Sequence, residues 1–302
     1  MRNSSEIIEA ALKAICTTIG SIPQKYHAPL ALLLGRLWFF LDKRHRDITI
    51  NNLRKAYQSQ ENHVEIVILA KKVFTSLILT IFEICWAMSQ KIENIDVIID
   101  RSDVRFIKEA LNKKKGALIL TGHLGNWELM PYVVCLEGIK GNAVYRPLDF
   151  KPMDRFVINM RSRLGSNLIP AKDALRKIIT ALRKNEIVGL LIDQNSDPRN
   201  GVVIDFFERP AFASKGLAII ARQTGAPVIP AFLVREDKRF RFLSGPEIPF
   251  VRTGDPRKDI EINTQRYNIA IEKAVRQYPE QWFWVHRRWK TKVSCQWPRQ
   301  ST

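Results

Sequence analysis

One stretch of the chain decides its fold: Ala117-Leu118-Ile119-Leu120-Thr121-Gly122-His123-Leu124-Gly125-Asn126-Trp127-Glu128. Its first four residues are apolar, which is typical of a strand covered on both faces. The glycines and the asparagine that follow do not suit a strand interior, so the chain is expected to turn sharply there. We therefore predict a strand-to-helix corner, with His123 at the end of the strand and Glu128 in the first helical turn behind it.

The corner places an imidazole and a carboxylate five positions apart. A neutral histidine accepts a proton from a hydroxyl when its other ring nitrogen donates a hydrogen bond to an acceptor. A carboxylate supplies that acceptor and stabilises the imidazolium that forms. The spacing suits His123 as a general base and Glu128 as its orienting group, with Gly122 leaving room for a substrate. The alternative is structural: Asn126 caps the helix and Glu128 complements the helix dipole.

The charge balance of the chain indicates an anionic partner. The 302 residues include 48 lysines and arginines against 30 aspartates and glutamates, a net charge of +18. Nucleic acid, an anionic membrane surface, and an acidic protein or phosphorylated substrate all fit this excess. The four cysteines form no Cys-x-x-Cys pair, so the sequence predicts neither a zinc site nor a disulfide framework.

The first hundred residues show helical periodicity and include a candidate membrane contact. Residues 28–41 are almost all apolar but fall short of the ~20 residues needed to cross a bilayer. The aromatic residues 38–40 adjoin a basic cluster at residues 42–46, a combination that suits phospholipid headgroups. We therefore favour an interfacial helix over a buried core helix with a solvated end, and predict a helical, membrane-associating region over residues 1–100.

From about residue 101 the pattern changes to short apolar strands that alternate with helices. Predicted strands cover residues 117–120, 143–145, 187–192 and 227–234. Predicted helices cover residues 104–115, 153–164, 172–184, 215–224 and 262–278. Strands separated by helices of this length imply a mainly parallel sheet with crossovers. The expected fold is an α/β domain over residues 101–302, its sheet flanked by helices, with the helical extension in front.

Several further blocks follow the corner in order. They cover residues 144–148, 193–194, 203–207, 224–230, 279–282 and 284–290. Together with the His-x4-Glu motif of the corner, they make the chain resemble the lipid A biosynthesis acyltransferases, the lauroyl and myristoyl transferases of Gram-negative envelopes. The early Asn51-Asn52-Leu53 is similar to the helical leader of that family, so the resemblance covers nearly the whole chain.

The resemblance implies a reaction and a set of partners. In that family the histidine is held to deprotonate a hydroxyl of a lipid A precursor, and the alkoxide then attacks an acyl thioester. Carried over to this chain, His123 is the general base and Glu128 its orienting partner. The implied donor is an acyl carrier protein or coenzyme A thioester, and negative charge on both substrates suits the basic chain. Acyl transfer from a thioester needs no metal and no covalent enzyme intermediate, so we expect no metal site and no cofactor.

The resemblance also implies a setting for the enzyme. The expected fold is that of the glycerolipid acyltransferases. The expected location is the cytoplasmic face of the inner membrane, held peripherally or by a single N-terminal anchor.

Substrate-binding residues are expected around the corner, namely Gly122, Asn126, Arg146, Asp193, Gln194 and Arg287. Arg146 follows a predicted strand, so its guanidinium is expected at the same sheet edge as His123, where it suits a phosphate. Asp193 closes another strand at that edge and either contacts substrate or shapes its loop. Arg287 belongs to an aromatic and basic tail expected near anionic groups, in which we interpret His286 as structural.

The chain departs from the family pattern at Glu208, where a glycine is common, and at residues 213–215, usually rich in threonine. These departures leave the acyl-chain length and the acceptor position open. The nearest alternative is an acyltransferase for another glycolipid or a lysophospholipid. A basic nucleic-acid-binding protein would explain the net charge but not the corner or the alternating strands, so we expect no nucleic-acid partner.

Overall fold

The computed structural model describes residues 4–57, 62–90, 97–163, 165–237 and 239–293. The N-terminal part is helical, as predicted, and contains α1 (Ser4–Gly20), α2 (His27–Leu41), α3 (Lys43–Tyr57) and α4 (His63–Ser89). The later helices are α5 (Arg105–Leu111), α6 (Met130–Leu136), α7 (Lys151–Arg163), α8 (Ala174–Arg183), α9 (Gly216–Thr224) and α10 (Pro256–Gln277). Short 3₁₀ turns cover Gln24–Tyr26, Ser102–Val104 and Pro279–Gln281.

A seven-stranded sheet forms the centre of the molecule. The described residues form nine strands, seven of which belong to this sheet: β1 (Ile99–Asp100), β2 (Ala117–Thr121), β3 (Gly141–Tyr145), β4 (Ser166–Pro170), β5 (Ile187–Leu191), β6 (Gly201–Asp205), β7 (Pro210–Ser214), β8 (Val228–Glu236) and β9 (Arg239–Ser244). The sheet order is β1-β9-β8-β2-β5-β3-β4, and β6 and β7 form a separate antiparallel hairpin. Every neighbouring pair in the large sheet is parallel except β8 and β9. The predicted α/β class with a mainly parallel sheet is confirmed.

Both faces of this sheet are covered. Successive residues of a strand point to opposite faces. Leu118 and Val188 pack on one side with α8, α9, α10 and the N-terminal helices. Ile119 and Ile187 pack on the other side with α5 and α6. This double burial explains why β2 and β5 are apolar along their whole length.

The helices and strands predicted from periodicity all occur, but several ends differ. The last helix begins at Pro256 rather than at residue 262, because the Asp255 side chain caps it by accepting the Arg257 N–H at 2.8 Å. The helix predicted over residues 104–115 ends at Leu111. Beyond it the chain turns through Lys114 and Gly116, both at positive φ, which a helix does not allow.

Five strands were not predicted: β1, β4, β6, β7 and β9. The first has two residues and pairs only at the sheet edge, so it carries almost no local pattern. The last alternates cationic and aromatic side chains from Arg239 to Phe242, which is a strand signal in the sequence. The remaining three have five residues each: β4 pairs with β3, and β6 and β7 pair with each other across the turn at residues 206–209.

Helix α2 buries one stripe of residues and exposes another. Ala31 and Gly35 lie against α4, where a Cβ on Gly35 would come within 2.7 Å of the Thr75 backbone. Leu33 and Phe40 are 63% and 75% exposed on the other side. Across the described ranges, none of the helices combines the length and the hydropathy of a membrane span.

The N-terminal helices are joined to the sheet by buried polar contacts. The Asn52 amide of α3 donates to the backbone carbonyls of Trp284 and His286 at 2.8 and 2.6 Å. Glu83 of α4 accepts a hydrogen bond from Arg235 of β8. These contacts fix α3 and α4 against the segment that surrounds the predicted corner.

Candidate active site

The corner that follows β2 is tied to the rest of the molecule by its backbone. Leu124 forms a bridge with Trp282 and Gly125 a bridge with Leu233. Gly125 has φ +64°, and a Cβ there would lie 2.0 Å from the Leu233 carbonyl oxygen, so the position requires glycine. The Asn126 N–H donates to the same carbonyl at 2.7 Å. Because of this tether α6 begins only at Met130, and the prediction of Glu128 inside the first helical turn is wrong.

His123 is held by Asp193. The ring Nδ1 lies 2.9 Å from Asp193 Oδ1, and the backbone N–H of His123 donates to Oδ2 at 2.8 Å. Trp282 Nε1 also donates to Oδ2, at 2.8 Å. Asp193 is fully buried, and a Cβ on Gly122 would come within 3.0 Å of its carboxyl group. The carboxylate that orients His123 is therefore Asp193 and not the predicted Glu128, and Gly122 makes room for this carboxylate.

The register of the sheet explains the pairing of these two residues. Strands β2 and β5 are parallel neighbours, and Thr121 is paired with Leu191. His123 and Asp193 each lie two residues beyond that pair, so both side chains emerge together at the carboxyl edge of the sheet.

The surroundings determine the protonation of this pair. Burial lowers the pKa of His123, but the charge and hydrogen bond of Asp193 and the charge of Glu128 outweigh it, so the pKa lies above its ordinary value. Burial raises the pKa of Asp193, but the neighbouring His123 reverses this effect and the carboxyl stays ionised. A carboxylate only accepts hydrogen bonds, so Nδ1 carries the proton and Nε2 is left to accept one.

Glu128 belongs to a second charge pair. Its carboxylate accepts two hydrogen bonds from Arg161 of α7, from Nε at 2.7 Å and Nη2 at 2.6 Å. Trp127 Nε1 donates to it at 3.1 Å. This two-point contact holds Glu128 in one orientation beside His123 and keeps its charge compensated.

An apolar cavity of about 580 Å³ opens beside His123. Its lining includes charged and polar side chains, among them those of His123, Glu128, Arg146, Asp149, Asp154, Arg161 and Gln194. The exposed Arg146, Asp149 and Gln194 mark its mouth, next to His123. Its walls are mostly apolar and include Ile119, Met130, Val134, Ala143, Val157, Ile187, Leu191 and Phe242. A cavity of this size is within the range of small-molecule sites, and its apolar walls suit a hydrocarbon chain.

Residues 2–291 match the family described as bacterial lipid A biosynthesis acyltransferase. The chain belongs to this family. It is 27% identical over 265 residues to the lipid A biosynthesis lauroyltransferase of Escherichia coli K12, which covers 86% of this chain and 83% of that relative. The match to the lipid A biosynthesis palmitoleoyltransferase of the same organism is 25% over 256 residues, 83% of this chain and 80% of the relative.

A relative with a different named substrate also matches. The phosphatidylinositol mannoside acyltransferase of Mycolicibacterium smegmatis is 25% identical over 215 residues, 67% of this chain and 64% of that protein. Membership of the lipid A biosynthesis acyltransferase family confirms the resemblance read from the ordered blocks, and it makes this protein an acyltransferase.

The structure of this acyltransferase gathers only some of the predicted substrate-binding residues at the cavity. Arg146 lines the mouth, where its exposed guanidinium lies 4.0 Å from Asp149, and Gln194 lies 3.5 Å from both ring nitrogens of His123. Arg287 is exposed but outside the cavity lining.

Asn126 has a different position from the one predicted. It is fully buried, its amide donates to Glu83 at 2.8 Å, and it does not line the cavity. The prediction that Asn126 binds substrate is therefore not supported, because its side chain connects the corner to α4. Its side-chain oxygen accepts the Leu129 N–H at 3.3 Å, which shapes the turn before α6.

The aromatic and basic tail of the acyltransferase seals the core beneath the site. Trp282, Trp284 and Arg288 are fully buried, and the Arg288 guanidinium lies over the Phe206 ring at 4.8 Å. Burial lowers the pKa of His286 to about 4, and its Nδ1 is 2.7 Å from the Phe283 carbonyl oxygen. These contacts agree with the structural interpretation of His286.

Sequence reasoning missed three contributors to the site. Arg161 was not assigned a role, Trp282 was included only as part of the block at residues 279–282, and Asp193 was expected to contact substrate or to shape its loop. A signal for Asp193 was available, since it follows an apolar strand as His123 does and ends of parallel strands meet at one sheet edge. No local pattern marks Arg161, which lies 33 positions from Glu128.

Proposed function

We propose that this protein is a membrane-associated O-acyltransferase that moves a fatty acyl chain from an acyl thioester to a hydroxyl of a lipid A precursor. One observation carries the proposal: the His123–Asp193 pair lies at the head of an apolar cavity in a lipid A biosynthesis acyltransferase family member. A base beside an apolar cavity suits acylation of a hydroxyl, because the base activates the hydroxyl and the cavity has room for the acyl chain.

In the proposed reaction, His123 carries one proton from the acceptor hydroxyl to the leaving thiolate. His123 Nε2 takes the proton of the acceptor hydroxyl, and the alkoxide oxygen attacks the thioester carbonyl carbon. The tetrahedral intermediate collapses, the carbon–sulfur bond breaks and the ester forms. The thiolate leaves and takes the proton from the imidazolium. Asp193 stabilises the imidazolium between these transfers, because its buried carboxylate stays ionised.

Glu128 and Arg161 have a supporting role in this proposal. Glu128 raises the pKa of His123 through its charge, and Arg161 fixes the direction of the carboxylate. Held in this way at the mouth, the Glu128 carboxylate can accept a hydrogen bond from a substrate hydroxyl. We therefore keep Glu128 as a catalytic residue, with a different task from the one that the sequence indicated.

The two substrates enter the cavity region from its polar mouth. The acyl chain of an acyl carrier protein or coenzyme A thioester lies along the apolar walls, with its carbonyl near His123. Arg146 binds a phosphate of the acceptor at the rim. The net charge of +18 attracts the acidic donor protein and the anionic lipid surface.

Residues 1–100 are proposed as the membrane-associating region, on the cytoplasmic face of the inner membrane. The exposed apolar side of α2 ends next to Lys43, Arg44 and Arg46. Such a helix end combines apolar burial with attraction to anionic headgroups.

The test is transfer of a labelled acyl chain from acyl carrier protein to a purified lipid A precursor. We expect His123→Ala to lower kcat/KM by a factor on the order of 10²–10⁴, the usual contribution of a general base. His63→Ala serves as a matched control, because His63 is exposed at the start of α4. Normal turnover by a folded His123→Ala protein would contradict the mechanism.

A second acceptor class is supported by the mycobacterial relative that is named for phosphatidylinositol mannoside. The same assay therefore includes a mannosylated phosphoinositide and a lysophospholipid as competing acceptors. Preferential acylation of either one would replace the lipid A precursor in the proposal while leaving the His123 chemistry intact.

A further inference from the structure

The cavity wall is formed by three adjacent parallel strands whose residues lie in level rows. At the mouth, Thr121 of β2 is paired with Leu191 of β5. The rows below it, all lining the cavity, contain Ile119, Gly189 and Ala143, and then Ile187 and Gly141. From Leu191 to Ile187 the strand advances about 13 Å, given ~3.3 Å per residue. The cavity therefore runs along the strands, away from His123.

The middle row has small residues on two of its three strands, and Ile119 of β2 is its one large side chain. Gly189 supplies no side chain, and its neighbour Ala143 supplies one methyl group. A chain that enters beside His123 must pass this row before it reaches the wall around Ile187 and Gly141.

Backbone geometry does not require a glycine at residue 189. A Cβ there would meet only the Asn142 carbonyl oxygen, at an ordinary 3.7 Å, and φ lies outside the left-handed region. Gly125 is the contrast, because a Cβ there would lie 2.0 Å from a carbonyl oxygen. Glycine also weakens a strand interior, since it costs more backbone entropy and packs nothing. The lack of a side chain at Gly189 is thus explained by the open space that it leaves in the cavity.

We propose that Gly189 sets the length of the acyl chain that this cavity accepts. The inference rests on the proposed acyl transfer and adds a determinant of specificity to it. A side chain at residue 189 occupies the middle row and closes the inner part of the cavity. Chains that end before this row still fit, and longer chains lose their binding site.

The experiment compares wild type, Gly189→Ala and Gly189→Leu with octanoyl, decanoyl, lauroyl, myristoyl and palmitoyl thioesters of acyl carrier protein. We expect the ratio of kcat/KM for long over short chains to fall with each increase in side-chain size. Each methylene group that no longer fits in the apolar cavity should lower this ratio by about tenfold or more. The longest chain that wild type uses should be lost first.

Two measurements separate this effect from damage to the fold. Gly189→Ala should raise Tm, because alanine fits the backbone and restricts the unfolded chain. Gly245→Leu is the matched control: a Cβ at this glycine would meet only Pro230 Cγ at 3.6 Å, and it does not line the cavity. This control should leave the chain-length ratio unchanged.

Direct binding of the same series of free fatty acids, measured by calorimetry, keeps the inference independent of turnover. In one outcome, wild type binds fatty acids up to a maximum length, and Gly189→Leu lowers that maximum. In the same outcome, wild type transfers no acyl chain to any acceptor. The role of Gly189 then stands and the proposed function fails. If folded Gly189→Leu keeps the wild-type length profile in transfer and binding, the inference is overturned while the proposed function stands.

Discussion

Two carboxylates lie close to His123, and their surroundings differ. Asp193 is fully buried and accepts hydrogen bonds from the ring and backbone of His123 and from Trp282. Glu128 lines the cavity mouth and accepts two hydrogen bonds from Arg161. A buried carboxylate with three donors has no oxygen facing the cavity, so it acts on substrate only through His123, which it orients and whose positive charge it stabilises. A carboxylate at a cavity mouth, fixed by an arginine, can also contact a ligand.

The comparison shows that nearness along the chain is a poor guide to partnership. Glu128 is five positions from His123 but bonds to a helix that follows it, whereas Asp193 is 70 positions away and bonds directly. The comparison assigns the orientation of His123 to Asp193 and the contact with substrate to Glu128 and the other residues of the mouth. Three experiments test this assignment.

The largest effect is expected from Asp193→Asn. Asparagine has only one acceptor oxygen for three donors, so its amide turns toward His123 and favours the wrong tautomer, with the proton on Nε2. We expect kcat/KM to fall by a factor on the order of 10²–10⁴, as for loss of the base itself. Kinetics of acyl transfer, with Tm measured in parallel, checks this.

Asp197→Asn is the matched control, because Asp197 is exposed and bonds to Arg199. It should behave as wild type. Near-normal turnover of folded Asp193→Asn would remove Asp193 from the mechanism.

A smaller effect is expected at the second pair, and its sign distinguishes the two partners. The charge of Glu128 raises the pKa of His123, and the charge of Arg161 lowers it. His123 must be neutral to act as a base, so activity rises with pH through this pKa. Glu128→Gln should therefore move the acidic limb of the kcat/KM profile to lower pH, and Arg161→Gln should move it to higher pH.

Glu128→Gln should also reduce kcat/KM by about tenfold, which corresponds to ~1.5 kcal/mol, the lower end of what a hydrogen bond to a charged group contributes. Glu137→Gln is the control, since Glu137 bonds to Arg101 and Lys108 outside the cavity lining. Equal shifts of the limb in one direction for both mouth variants would show that the pair does not act through charge.

The smallest effect is expected at Arg146, the exposed cation of the mouth. Its guanidinium is 4.0 Å from Asp149, and both side chains are almost fully exposed. Exposed charge pairs are worth ~0–1 kcal/mol, so Arg146→Ala should raise KM for a phosphorylated acceptor less than about fivefold, with kcat and Tm unchanged. Arg183→Ala, at the far end of α8, should change nothing. A fall in kcat would place Arg146 nearer the reacting atoms than the rim.

Much of the fold could be predicted, because its signals are local. The apolar runs of β2 and β5 and the amphipathic face of α8 are visible as periodicity. Strand β4 was not visible, because Ser166–Pro170 is defined by pairing with β3 along five residues and has little apolar pattern of its own. The late start of α6 was also missed, because it follows from the hydrogen bond between Asn126 and Leu233.

By itself the sequence determined the parallel α/β class, the corner after β2 and the presence of His123 at a strand end. These follow from residue types within a few positions of one another, where glycine, periodicity and burial act directly. Only the tertiary structure decided that Asp193 holds His123, that Arg161 holds Glu128, and that Gly189 faces the cavity. The physical reason is that strand register and helix packing choose these neighbours, and both depend on contacts between distant parts of the chain.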